Sequence, residues 1–315
     1  MSNPVIDVRN LTKDYGKGRG VFDVSFRVEP GEVFGFLGSN GAGKTVTMRH
    51  LMGFIRPQKG AVSVLGLDCF NQRAQIQGHL GYLPGEIAIA DDMTGIVFLT
   101  FMAKMNGIRN LDYMHQLIER LQLDPKPKIR KMSKGTKQKV GLVCAFMGKP
   151  QVLLLDEPTS GLDPLMQSLF IQLVLEHRQM GATVFLSSHI FEEVERTCDR
   201  VAFIREGRLA AIRSMDEVRA SRTHSYQVTF ADSQQLQLFA DKAHQGIAIE
   251  PATEHQESRT LLVSADGSVD SLVKELANYS VESLLSREQS LEEMFMGFYG
   301  KEGSERWARP CFSRS

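Results

Sequence analysis

Apolar and polar residues alternate at two places near the start of the chain, Val5-Ile6-Asp7-Val8 and Val24-Ser25-Phe26-Arg27-Val28. Alternation of period two predicts half-buried strands. The turn Glu29-Pro30-Gly31-Glu32 feeds Val33-Phe34-Gly35-Phe36-Leu37, whose unbroken apolar character predicts a fully buried strand. Thr45 to Met52 has helical character. The turn Pro57–Gly60 leads to a short strand over Ala61–Gly66. From about 71 to 150 the pattern is mainly helical. Gly81-Tyr82-Leu83-Pro84 closes a short strand, Thr94–Asn106 is apolar enough to predict a well-buried helix, and Asp112–Leu121 is amphipathic. After the linker Asp124–Lys128, Ser133 is placed to cap a helix running to about Met147. Val152–Leu155 and Thr183–Leu186 read as buried strands, the second ending at Ser187-Ser188-His189. A helix over Pro164–Met180 separates them, and a helix over Phe191–Arg196 precedes a hairpin over Arg200–Ile212 that turns at Glu206-Gly207.

The pattern changes around 216–222. Strands at Tyr226–Phe230, Ile247–Glu250, Thr260–Ser264 and Val281–Ser286, with helices at Ser233–His244, Ser268–Leu276 and Leu291–Phe298, predict a small α+β domain of ferredoxin-like arrangement. The expected organisation is therefore an α/β domain over 1–218, with a helical subdomain at about 86–150, and an accessory α+β domain over 219–300. The last residues, 301–315, lack periodicity and read as a disordered tail, Trp307 included.

Composition narrows the functional classes. With 37 basic and 37 acidic residues, the chain carries no bulk charge that would favour a nucleic-acid partner, and none is expected. Cys69, Cys144, Cys198 and Cys311 are scattered, which argues against a disulfide framework or zinc site and suits a reducing cytosol. No apolar run approaches the length of a membrane span.

The candidate chemistry begins at Gly38-Ser39-Asn40-Gly41-Ala42-Gly43-Lys44-Thr45. Glycine, four residues, then glycine-lysine-threonine is the spacing of a phosphate-cradling loop, here between a predicted strand and a predicted helix. Backbone N–H groups of such a loop converge on phosphate oxygens, and the helix N-terminus adds positive potential. Lys44 is placed for the β/γ-phosphates and the Thr45 hydroxyl for Mg²⁺. Further on, Asp156 and Glu157 stand at the end of the strand Val152–Leu155, where open α/β sheets place ligand chemistry. Tyr15, between the first two strands, reads by itself as a partly buried packing tyrosine, and its ring is also suited to stacking on a nucleotide base.

Tyr15, the loop 38–45, Ser133-Lys134-Gly135, Asp156-Glu157-Pro158 with Asp163, and His189 occur in this order. The set resembles the ATP-binding cassette (ABC) ATPases over residues 3–215, and implies a P-loop NTPase of ABC type binding ATP and Mg²⁺. Under this resemblance Gly38, Ser39, Asn40, Gly41, Ala42, Gly43, Lys44, Thr45 and Thr47 bind nucleotide, and Thr45 and Asp156 hold the metal. Glu157 polarises the attacking water, and His189 contacts the γ-phosphate and orients that water; Lys44 completes the catalytic set. Ser133 and Gly135 face the ATP of a second subunit, and Asp163 bridges the two nucleotide sites. A head-to-tail pair of chains, a homodimer, with two ATPs sandwiched between them, is implied.

Two departures stand out. Lys134 replaces a glycine of the family's Leu-Ser-Gly-Gly-Gln segment, with Met132 and Thr136 at its flanks. Gly85 stands where the family has a glutamine that contacts Mg²⁺ and senses the membrane partner, and Glu86 follows it as a displaced substitute. The segments Ser290–Phe295 and Phe298-Tyr299-Gly300 resemble the close of ATP-binding subunits of type-2 ABC exporters, including drug-resistance exporters. The implied function is an ATPase subunit, peripheral on the cytoplasmic side of the cell membrane, driving export through a separately encoded permease. The competing readings are a soluble ABC ATPase acting on nucleic acid or ribosomes and a non-hydrolysing ATP-gated interaction protein.

Overall fold

The computed structural model describes residues 3–87, 92–220, 224–242, 247–249, 259–265 and 269–288. The chain divides into two compact units, with the boundary at Asp216/Glu217. In order, the first runs β1 (Ile6–Asp14), β2 (Gly20–Val28), β3 (Val33–Leu37), α1 (Lys44–Leu51), β4 (Lys59–Val64), β5 (Leu67–Asp68), α2 (Arg73–Gln77) and β6 (Leu80–Leu83). It continues with α3 (Gly95–Met105), α4 (Asp112–Arg120), α5 (Lys134–Phe146), β7 (Val152–Asp156) and α6 (Pro164–Gln179). Then come β8 (Thr183–Ser188), α7 (Phe191–Thr197), β9 (Arg200–Arg205) and β10 (Arg208–Ser214), and α8 (Met215–Ala220) crosses the boundary.

Two sheets form this unit. An antiparallel sheet has the order β2-β1-β4-β5, and a mixed sheet has the order β10-β9-β3-β8-β7-β6. The central strands β3, β7 and β8 are buried along their whole length, as their unbroken apolar runs require. The sheets meet through phenylalanines: Phe26 of β2 stacks on Phe34 of β3 at 5.4 Å and on Phe185 of β8 at 5.5 Å between ring centroids. Each such ring contributes about 1.5–3 kcal/mol by leaving water. Elsewhere on β3, Gly35 is pressed against α7, since a Cβ there would lie 2.8 Å from Val194 Cγ1 and 2.9 Å from Cys198 Sγ.

Parallel pairing sets the ends of the central strands level. Leu37 pairs with Ser188, Ser187 with Asp156, and Leu155 with Leu83. Four loops therefore leave the C-terminal edge of the sheet together, and β3 stands beside the crossover where order reverses.

The helices begin on side-chain caps: Thr94 accepts from Val97 N–H, Ser133 from Thr136 N–H, and Asp163 from Met166 N–H, with Pro164 opening α6. The expectation that Thr94–Asn106 forms a well-buried helix needs correction. In α3 only Gly95, Leu99 and Ala103 are buried, while Val97, Phe101 and Met105 are 53%, 49% and 67% exposed. Spaced four apart, these three side chains fall on one stripe of the helix. High apolar content here means two apolar faces, one of them open.

The second unit runs β11 (His224–Phe230), α9 (Ser233–Ala240), β12 (Ile247–Ile249), β13 (Thr260–Ala265), α10 (Val269–Leu276) and β14 (Val281–Glu288). Its sheet is antiparallel with order β12-β13-β11-β14, the ferredoxin-like arrangement of a β-α-β-β-α-β chain. Tyr226, Val228 and Phe230 alternate inward from β11 and join Phe239 of α9 and Leu272 and Leu276 of α10 in one core. The expected helix Leu291–Phe298 and the tail 301–315 lie outside the described residues. Among the described residues no helix is long and apolar enough to cross a membrane.

Candidate active site

The loop Gly38–Thr45 leaves β3 at the level edge and enters α1. Two of its glycines are dictated by crowding. A Cβ on Gly38 would lie 2.5 Å from the Ile204 carbonyl oxygen; Gly43 has φ +111° and would press a Cβ to 2.9 Å from Val21 Cγ1. Gly43 also sits at the N-cap of α1, where no side chain caps the helix and no acidic residue occupies the first turn. The orphan N–H groups and the positive end of α1 are thus available to an anion. Lys44 is 5% exposed and points back into the loop, donating to the carbonyls of Gly38 at 2.7 Å and Ser39 at 3.2 Å. Such a buried ammonium beside bare helix N–H groups fits a polyphosphate.

At the ends of β7 and β8, polar side chains close on this loop. Thr45 Oγ1 donates to Asp156 Oδ2 at 3.0 Å, and Ser187 Oγ donates to Asp156 Oδ1. Asp156 is 1% exposed. Burial pushes its carboxyl above the usual carboxylate range, against the opposing pull of the Ser187 and Thr45 hydroxyls. A divalent cation at Thr45 and Asp156 would relieve that burial penalty. The hard oxygen donors fit Mg²⁺, which needs few protein ligands.

Glu157 is placed differently. Its backbone has φ +50°, the left-handed region, and its N–H donates to the Ser187 carbonyl at 2.9 Å. Its Oε1 lies 3.0 Å from Lys44 Nζ, and His189 Nδ1–H donates to its Oε2. The side chain is 18% exposed and that of His189 is 48% exposed. Two adjacent carboxylates thus occupy different environments, one sealed beside Thr45 and one half-buried between a lysine and an imidazole. That contrast can divide metal holding from proton handling.

The remaining predicted residues fall in three places. Tyr15, 47% exposed, follows β1, with Lys13 Nζ 5.6 Å from its ring centroid. Thr47 is fully buried, and its hydroxyl donates to the Gly43 carbonyl at 3.1 Å within α1, so it braces the loop from beneath. Ser133 and Gly135 open α5, and no hydrogen bond joins them to residues 38–45 among the described residues. Asp163 caps α6. Lys134 donates to Ser160 Oγ at 2.9 Å. A Cβ on Gly85 would lie 3.5 Å from Asp156 Cγ and Oδ2, so position 85 borders the carboxylate that the glycine leaves untouched; Glu86 is exposed.

Sequence reasoning did not single out Ser187 or Gln138 as site residues. Ser187 had one signal, its place immediately before Ser188-His189. Gln138 had none, because its partners are backbone carbonyls nineteen and twenty residues downstream. Glu193 also escaped notice. It is 4% exposed, and its Oε2 accepts from Ser188 Oγ at 2.5 Å. Burial pushes this carboxyl up to about 7.

Comparison with known proteins accords with this geometry. The family model described as ABC transporter matches residues 21–160. The bacitracin transport ATP-binding protein BcrA of Bacillus licheniformis is 31% identical over 304 residues, covering 94% of this chain and 97% of that protein. The linearmycin resistance ATP-binding protein LnrL of Bacillus subtilis (strain 168) is 30% identical over 311 residues, covering 94% and 99% respectively. A solved structure of an ATP binding subunit of an ABC transporter superposes with a TM-score of 0.64 at 31% identity, covering 69% of this chain and 92% of the other. A cradle for phosphate, a paired carboxylate site and near full-length similarity place this chain among the ABC transporter ATP-binding proteins, as an ATPase of that family.

Proposed function

We propose that the chain hydrolyses ATP as one half of a head-to-tail dimer and drives export of small molecules, drugs among them, through a separately encoded permease. The observation that carries the reading is the continuous contact Lys44–Glu157–His189 beside the Thr45–Asp156 pair. Lys44 and the loop N–H groups bind the phosphates. Thr45 and Asp156 would hold Mg²⁺, which would supply positive charge to offset the negative charge developing on the phosphates. Glu157 orients water for in-line attack, and His189 holds Oε2 of Glu157, the oxygen not paired with Lys44, and contacts the γ-phosphate. Tyr15 stacks on the base.

Ser133 and Gly135 stand at the surface end of α5, apart from the loop of their own chain, which supports their service to the ATP of a second copy. A dimeric ABC transporter cassette is known among structures of the same fold. The permease side of the proposal draws on the names of BcrA and LnrL and on the open stripe of α3, Val97, Phe101 and Met105. A stripe of that kind suits a protein partner better than water. The working place is the cytoplasmic face of the membrane. Glu86 serves as the sensing residue beside Gly85.

The test is co-purification with the permease and measurement of ATPase activity in vesicles. The reading predicts stimulation by the transported compound and loss of that stimulation in Glu86→Ala. Stimulation by DNA or ribosomes, with none by the permease, overturns the transporter assignment; unchanged permease stimulation in Glu86→Ala removes the role of Glu86.

A further inference from the structure

The segment that follows the two carboxylates, Glu157 to Gly161, is gripped from one side by α5. Gln138 is 2% exposed and donates its Nε2 to the Pro158 carbonyl at 2.7 Å and the Glu157 carbonyl at 3.3 Å. One turn earlier, Lys134 donates to Ser160 Oγ at 2.9 Å, and its methylenes lie 3.3 Å from where a Cβ of Gly161 would be. Between them Gly135 lets the backbones touch, because a Cβ there would stand 2.6 Å from the Gly161 carbonyl oxygen. Glu157, the residue so gripped, holds a left-handed backbone at φ +50°, a conformation that costs a non-glycine residue free energy and that these contacts help to hold.

We propose that Gln138 is a positioning residue for Glu157, acting through the Glu157 and Pro158 carbonyls, with the Lys134–Ser160 contact as its outer support. The proposal rests on the reading of Glu157 as the residue that orients water. Fixing those carbonyls fixes the turn after β7 and so the direction in which the Glu157 carboxylate leaves it, toward Lys44 and His189. The same helix carries Ser133 and Gly135 at its N-terminus. A shift of α5 therefore reaches Glu157 of its own chain without passing through the phosphate loop. The lysine at 134, a departure from the family's glycine, gains a purpose in this grip: its ammonium is spent on Ser160.

The test uses the full chain and steady-state ATPase assays, with ATP binding measured separately. Gln138→Met, close in size but without the amide, is expected to lower kcat about tenfold or more while KM and the ATP dissociation constant stay within about twofold. In a Glu157→Gln background the same change is expected to have no further effect on residual hydrolysis, a non-additivity that general loss of stability would not produce. Should Gln138→Met fail to fold, Ser160→Ala and Lys134→Met serve. Each is expected to lower kcat about threefold, and the pair no further. A Gln138→Met enzyme with wild-type kcat, or with KM raised in proportion, overturns the proposal, as does full additivity of Ser160→Ala and Lys134→Met. Wild-type hydrolysis by Glu157→Gln alone would instead overturn the underlying role of Glu157.

Discussion

The two compact units bury different kinds of side chain. At the C-terminal edge of the six-stranded sheet, Lys44, Thr47, Gln138, Asp156, Thr159, Ser187, Ser188 and Glu193 are all buried, whereas the described residues of the second unit bury one polar side chain, Thr260. Taking polar and charged groups out of water costs several kcal/mol unless partners replace the water. The first unit bears much of that cost at this edge, where backbone carbonyls accept from Lys44, Thr47 and Gln138 and polar side chains pair as Asp156 with Ser187 and Glu193 with Ser188. The rest falls at scattered positions such as Asp7, Glu32 and His177. Its fold is stabilised elsewhere, by the phenylalanines between its two sheets. The second unit packs Phe230, Phe239 and Tyr279 ring against ring over its sheet, and its core among the described residues is mainly apolar. Chemistry belongs to the edge that folding alone would not build.

If that contrast is right, a substitution at the edge removes activity and a substitution in the second core removes stability. Lys44→Ala should reduce ATP hydrolysis about a thousandfold, equivalent to about 4 kcal/mol, because it deletes the buried cation to which the proposal assigns the phosphates; steady-state turnover checks it. Phe230→Ala should cost the second unit about 3–5 kcal/mol in urea unfolding through the cavity it leaves. The same protein should bind ATP like the wild type in a fluorescent-nucleotide titration. Loss of binding by Phe230→Ala would show that the two units do not divide the work.

Glu193 offers a finer test, since its carboxyl titrates near 7 instead of the ordinary 4.5. A raised pKa means that the folded protein holds the proton more tightly than the unfolded chain. Its contribution to stability is fully present below about pH 4.5, declines as pH rises toward 7, and is absent above. Glu193→Gln lacks this decline. Between pH 5 and pH 8 the stability difference should therefore move by about 2.5 kcal/mol in favour of the glutamine variant. Urea melts at the two pH values measure it, and a constant difference would place Glu193 in a wetter setting. The smallest effect is expected at Ser133→Ala, where loss of the α5 cap should cost about 1 kcal/mol. Its ATPase activity should fall by more than that cost predicts if Ser133 also meets a partner's phosphate.

Much of this was legible in the residues themselves. Val33–Leu37, Val152–Leu155 and Thr183–Leu186 announce buried parallel strands by lacking alternation, and their paired ends bring Gly38, Asp156 and His189 to one edge. The alternation of Tyr226, Val228 and Phe230 likewise reveals the core face of β11. Over Thr94–Asn106 apolar content predicts burial without saying which face is covered; only packing shows that Val97, Phe101 and Met105 lie opposite Leu99 and Ala103. Gln138 was illegible for a related reason, and the one sign at Ser187, its place before Ser188-His189, did not reveal Asp156 as its partner. A polar residue inside a strand or helix acquires meaning from a partner far along the chain, and nothing in the local pattern names that partner.

The central claim is that Glu157, held between Lys44 and His189, orients the water that attacks ATP. Its most direct measurement is single-turnover hydrolysis by Glu157→Gln with ATP binding followed in the same sample. The account predicts wild-type affinity for ATP, stable pairing of chains in the presence of ATP, and hydrolysis slowed by about a hundredfold or more. Hydrolysis at the wild-type rate would contradict it.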